Sequence, residues 1–172
     1  MRIFFAAIFI CLLIGLGFNS CSSQPQISPI AYNDSLVVQQ IAVVDASASL
    51  QEVLDTYNKT DMQTMLGRLQ GQINLSLAKS EAMGPYKDDN SFKDATLAFI
   101  RIYQELAQNE YRKAVQLLSK PDTLYAPEDE AVVEKIYASI NQVTAEATLE
   151  YEKAQQKFAE KNEINLKTEV KK

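Results

Sequence analysis

The sequence predicts an all-α protein, an antiparallel up-down-up-down four-helix bundle, and three observations lead there. Beyond the first 20 residues, apolar side chains recur at three- and four-residue spacing over four long stretches. All five prolines (Pro25, Pro29, Pro85, Pro121 and Pro127) fall outside those stretches, where they mark helix starts and stops. The connections between stretches are short, and short connections make consecutive helices antiparallel neighbours.

The first helix opens at Ser28-Pro29, a cap residue followed by proline at the first helical position, and runs to about Tyr57. Leu36, Val37, Ile41, Val44, Ala48, Leu50 and Leu54 carry its periodicity. Its Val and Ile content suits a strand, but strict alternation is missing and the stretch is too long for one. A capping box of Thr60 and Gln63 starts the second helix. Met62, Leu66, Leu69, Ile73 and Leu77 form its stripe, and Gly84-Pro85 ends it as a left-handed cap followed by a breaker.

The third helix follows Asp88-Asp89-Asn90-Ser91, whose acids suit the positive end of a helix dipole. Phe92, Ala95, Phe99, Tyr103, Leu106 and Ala114 mark its inner face up to Lys120-Pro121. The fourth begins near Pro127 with Glu128, Asp129 and Glu130 in its first turn, and its seam is Val133, Ile136, Ile140, Val143, Ala147, Tyr151, Ala154 and Phe158. Beyond Lys161 the pattern fades into a charged tail expected to fray. Tyr111, Ala114 and Leu118 after a polar break are similar to one tetratricopeptide unit, which makes an array of such hairpins the alternative fold. Stacked repeats need about three units, and one is present.

Composition removes whole classes of activity. The chain has 172 residues, no histidine and two cysteines, Cys11 and Cys21. Without histidine there is no Ser-His-Asp or Cys-His catalysis, no histidine-bound zinc and no Glu-x-x-His di-iron site. With both cysteines so early there is no disulfide framework. The net charge of −5 becomes −6 once Arg2 is lost with the leader, and no Lys/Arg cluster appears before the last few residues. Nucleic acid is therefore excluded as a partner. No catalytic residue, metal or cofactor is expected.

The N-terminus is informative. Arg2 precedes Ile3 to Phe18, an apolar run of 16 residues, too short for a comfortable membrane span of ~20 and suited to a signal peptide. Phe18-Asn19-Ser20-Cys21 then places a small residue before a cysteine. This segment resembles the lipobox of bacterial lipoproteins, although Phe18 stands where leucine is usual and Asn19 where a small residue is usual. The resemblance implies cleavage between Ser20 and Cys21 by signal peptidase II, and diacylglycerol on the Cys21 thiol.

The chain then divides into a leader (1–20), a lipidated tether (21–28), a helical domain (29–161) and a tail (162–172). Acyl chains contribute ~0.8 kcal/mol per buried CH₂, so two or three of them hold a protein at a membrane without a transmembrane helix. Ser22, rather than aspartate, follows Cys21, which favours the outer membrane, and the tether lacks the acids that would suggest display outside the cell. The expected location is a periplasm-facing outer membrane. Tyr32-Asn33-Asp34-Ser35, with Val37 and Gln40, also resembles the start of the helical domain in some uncharacterised bacterial surface lipoproteins, which supports the architecture and implies no activity.

The remaining candidates are weaker. Asp88-Asp89 and Glu128-Asp129-Glu130 lack calcium-loop spacing and are better read as helix-start acids. Asp34, Asp45 and Asp55 share the first helix without a partner base and are expected in solvent. Tyr32, Tyr103, Tyr111, Tyr137 and Tyr151 are expected in packing and at bundle rims, with a ligand cleft as the competing reading.

Small residues make the strongest candidate face. Gly67 and Gly71 each cost ~1 kcal/mol relative to alanine inside a helix, and Asn74 and Ala78 continue their stripe. Folding the first two helices together sets Gly71 opposite Ala46 and Gly67 opposite Ser49 or its neighbour, which predicts a close-packed hairpin. The alternative is a groove that receives a partner helix. The function expected from all this is a non-enzymatic interaction or structural role, with membrane contact through the lipid and an envelope protein as partner. The alternative function is a binding module for a small apolar or lipid ligand within the bundle.

Overall fold

The computed structural model describes residues 27–166. The helices are α1 (Pro29–Leu54), α2 (Lys59–Glu81), α3 (Ser91–Gln108), α4 (Glu110–Leu118) and α5 (Pro127–Lys161), with a 3₁₀ turn at Asp122–Leu124. The protein is an all-α four-helix bundle, because α3 and α4 are two parts of one bent rod. At the bend Asn109 has φ −117° and ψ −80°. Its N–H still bonds Glu105 O at 3.0 Å, and its carbonyl accepts from Lys113 N at 2.9 Å, so the rod changes direction without losing its ladder. The periodicity across Leu106 and Ala114 gave no sign of this bend.

The core is tied at one end by aromatic rings from four places in the chain. Phe158 of α5 meets Tyr32 of α1 at 5.5 Å, Phe92 of α3 at 5.4 Å and Tyr86 of the α2–α3 connection at 5.4 Å. Tyr151 continues the stack onto Phe92 and Phe99. The Tyr32 hydroxyl donates to Gly84 O at 3.0 Å, bringing in the chain that leaves α2. The start of α1, the chain that leaves α2, the start of α3 and the end of α5 thus meet in one cluster. A single shared core of this kind is a bundle rather than an array of hairpins.

Several local readings are corrected. Asn58, not Thr60, caps α2, its Oδ1 accepting from Thr60 N at 3.1 Å and Asp61 N at 3.3 Å. Gly84 is not left-handed; the reversal uses Lys87 (φ 49°) and Asp88 (φ 64°). Tyr86 and Asp89 close that turn with a pair of backbone hydrogen bonds of 3.0 and 2.9 Å. Two positive φ values in succession are what a primed turn needs, and asparagine or aspartate tolerates them better than most residues.

The described part of the tail does not fray. Glu163 is left-handed (φ 56°), its N–H reaches Glu160 O, and Ile164 N–H reaches Ala159 O at 2.9 Å. This is a Schellman closure with glutamate in the position glycine usually takes, and Ile164 packs back on the core.

α1 differs most from expectation. Its buried positions are Tyr32, Asn33, Leu36, Gln39, Val43, Ser47, Leu50 and Leu54, whereas Ile41 is 47% exposed and Val38 57%. The helix is apolar on every side, so its spacing does not select a face.

Candidate functional site

The glycine stripe faces solvent. Gly67, Gly71, Asn74 and Ala78 are all exposed, and a Cβ built on either glycine meets no atom within 4 Å. α1 and α2 do pack against each other as a hairpin, but not through the glycines: neither Gly71 nor Gly67 meets Ala46, Ser49 or any other residue of α1. The inner face of α2 is Met62, Leu66, Leu69 and Ile73, continued by Ser76 and Ser80, both fully buried. Serine, not glycine, is the small residue that α2 turns inwards, and stripe arithmetic based on glycine missed it. Leu77, expected inside, is half-buried.

Beside this face the α2–α3 seam holds a notch of about 280 Å³ lined by Gln70, Ile73, Asn74, Gln104, Ala107 and Gln108. Ile73 and Ala107 are buried and make an apolar floor. The rim consists of four carboxamides, two from each helix. Elsewhere buried or half-buried carboxamides are tied down: Gln72 donates to Ser76 Oγ at 3.0 Å and Gln155 to Asn33 Oδ1 at 3.1 Å. Of the four at the notch, Gln70 and Gln104 are half-buried and Asn74 and Gln108 are exposed to solvent, and none bonds another described side chain. The signal in the sequence was the repeat of an amide at four-residue spacing, Gln70/Asn74 and Gln104/Gln108, on two consecutive helices.

A larger cleft, about 1270 Å³, lies between α1 and α5, with Ile30, Val37 and Leu149 among its apolar lining. The two helices meet near the start of α1 through Tyr32, Phe158 and the Asn33–Gln155 bond. Asp34, Glu152, Lys153 and Lys157 also border the cleft, so its charges are mixed.

Four of the five candidate tyrosines pack in the core. Tyr32, Tyr103, Tyr111 and Tyr151 are buried, and Tyr137 is half-buried. Burial pushes the Tyr103 and Tyr137 hydroxyls up to about 12, so neither ionises near neutrality. Tyr111 shares a 2.7 Å hydrogen bond with Ser47 Oγ and accepts from Gln51 Nε2 at 2.8 Å, which fixes α4 against α1.

The acids serve turns and helix starts. Asp89 accepts from Ser91 N at 2.8 Å and Lys161 Nζ at 2.6 Å, and these bonds hold its carboxyl well below the usual carboxylate range. Asp129 accepts from Ala126 N at 3.1 Å and Lys120 Nζ at 2.7 Å. Asp34, Asp45 and Asp55 are exposed. Among the described residues no three acidic or cysteine side chains converge as metal ligands, and no helix is long and apolar enough to cross a membrane. Ser20 and Cys21, the cleavage and lipidation candidates, lie outside the described residues.

The chain matches no protein family, no curated protein and no solved structure.

Proposed function

We propose that the protein is a lipid-anchored component of the bacterial envelope whose helical bundle has a non-enzymatic interaction or structural role. The observation that carries this reading is the sequence Asn19-Ser20-Cys21 directly after a 16-residue apolar run. Acylation of Cys21 attaches the chain to a membrane, with the outer membrane facing the periplasm as its place. A non-enzymatic role is supported by the engagement of Tyr32, Tyr103, Tyr111 and Tyr151 in packing and of Asp89 and Asp129 in turn and helix-start bonds. An envelope protein is the partner expected at the open α2 face.

The α1–α5 cleft favours a second reading, a binding module for a small apolar or lipid ligand. Ile30, Val37 and Leu149 provide apolar contact there, at the bundle surface rather than within its core. Native mass spectrometry of protein released from membranes tests it: a co-purified lipid lost with Leu149→Asp supports this reading, and an unliganded mass rejects it.

Growth with a clickable palmitate analogue tests the anchor. The unaltered chain should be labelled and membrane-bound, and Cys21→Ser should be unlabelled and should accumulate as precursor, since serine offers no thiol. A labelled, membrane-bound Cys21→Ser chain of mature size would reject the assignment.

A further inference from the structure

Helix packing gathers positive charge at a place where the sequence shows no cluster. Arg112 and Lys113 of α4 and Lys135 of α5 line one cleft of about 760 Å³ in the α4–α5 seam. The whole chain carries a net charge of −5, yet Glu110 is the one acid among the described residues that line this cleft. Four other cations, Arg101, Lys120, Lys153 and Lys161, each meet a carboxylate at 2.6 to 3.2 Å. Arg112, Lys113 and Lys135 form no ion pair with another described residue. Like charges held together without a partner repel, and an anion between them removes that cost.

The residue types narrow the anion. An arginine fork matches two oxygens of a phosphate or carboxylate, and lysines serve a phosphate as point charges. Arg112 and Lys113 stand in the first turn of α4, where the helix dipole adds to their attraction. Three cations against one acid leave a surplus that suits a dianion better than a single carboxylate. Beneath them, Ile136 is buried and Val132 half-buried, an apolar floor that an inorganic ion would leave unused. The volume lies within the ~300 to 1,000 Å³ of small-molecule sites.

Position bears on the source of the ligand. Ser139 borders the cleft and lies ~33 Å along α5 from Lys161, at whose end of the bundle α1 begins. The cleft is thus far from the tether, which favours a soluble ligand over a headgroup of the anchoring bilayer.

We propose that the α4–α5 cleft binds a phosphomonoester, with Arg112 as the fork on two phosphate oxygens, Lys113 and Lys135 as further counter-charges, and the ester's apolar group on Val132 and Ile136. This site goes beyond the interaction role proposed above and does not depend on acylation of Cys21.

Isothermal titration calorimetry of the full chain in nonionic detergent micelles tests it, with phenyl phosphate as the probe. Binding should saturate, and the double variant Arg112→Gln/Lys135→Gln should weaken it about tenfold or more while the thermal midpoint does not fall. Lys79→Gln/Lys157→Gln removes the same charge from exposed positions elsewhere and should bind as the unaltered chain does. Saturable binding of dilauroyl phosphatidate in the micelles, without binding of phenyl phosphate, would support the same chemistry with a lipid headgroup as its source. No binding of either phosphomonoester, equal binding of phenol or phenylsuccinate, or equal weakening by the two double variants would overturn the proposal. Palmitate labelling of the same chain reads the anchor separately, so failure of either idea is recognised without the other.

Discussion

The two faces of α2 show opposite uses of small residues. Inside, Ser76 and Ser80 are fully buried and continue the apolar face formed by Met62, Leu66, Leu69 and Ile73, so small size there lies within the packed interior. Outside, Gly67, Gly71 and Ala78 leave the helix surface bare, and no part of the bundle lies against either glycine. The same property, a short side chain, stabilises the fold on one face and lowers helix stability on the other. Where such a cost has no internal return, the return is expected at a binding surface.

Leu69→Ala removes a fully buried side chain and should lower stability by ~2 to 5 kcal/mol, read from denaturant unfolding of the full chain in micelles. A change below ~0.5 kcal/mol, the range of ordinary surface substitutions, would show that this face is not core.

Ser80 lies on the same face, and its substitution has the opposite sign. Its Oγ is buried with no hydrogen-bond partner among the described residues, so Ser80→Ala removes an unsatisfied hydroxyl. The midpoint should rise, by an amount equivalent to ~1 kcal/mol or more. A fall would mean that the hydroxyl has a partner.

On the outer face, Gly67→Ala should gain up to ~1 kcal/mol of helix propensity, because the added Cβ meets nothing. Thermal unfolding followed by circular dichroism reads it, and a lowered midpoint would contradict the open face.

The fold was legible where polar and apolar residues separate cleanly. α3 buries Phe92, Phe99, Tyr103 and Leu106, and α5 buries Val133, Ile136, Ile140, Tyr151 and Phe158, as their spacing predicts. α1 was legible as a helix but not in its facing: Val43 and Ser47 are inside where Val44 and Ala48 were expected, since apolar residues surround its axis. The Schellman closure at Glu163 was hidden because the left-handed residue is not glycine. The bend at Asn109 was hidden because hydrogen bonds, and therefore periodicity, continue across it. For the candidate site, the stripe Gly67, Gly71, Asn74 and Ala78 was visible but assigned to the wrong side. Neither Gln104 nor Gln108 was visible as a partner of Gln70 and Asn74, because their meeting depends on how α2 and α3 are registered.

The central claim is that α2 presents a bare outer face, and Gly71→Leu tests it most directly. On an open face, leucine gains ~0.8 kcal/mol of helix propensity without a clash, so thermal unfolding of the full chain in micelles should show a raised midpoint. In a packed hairpin the same side chain would overfill the contact at a cost of ~1 to 3 kcal/mol, and a lowered midpoint would contradict the account.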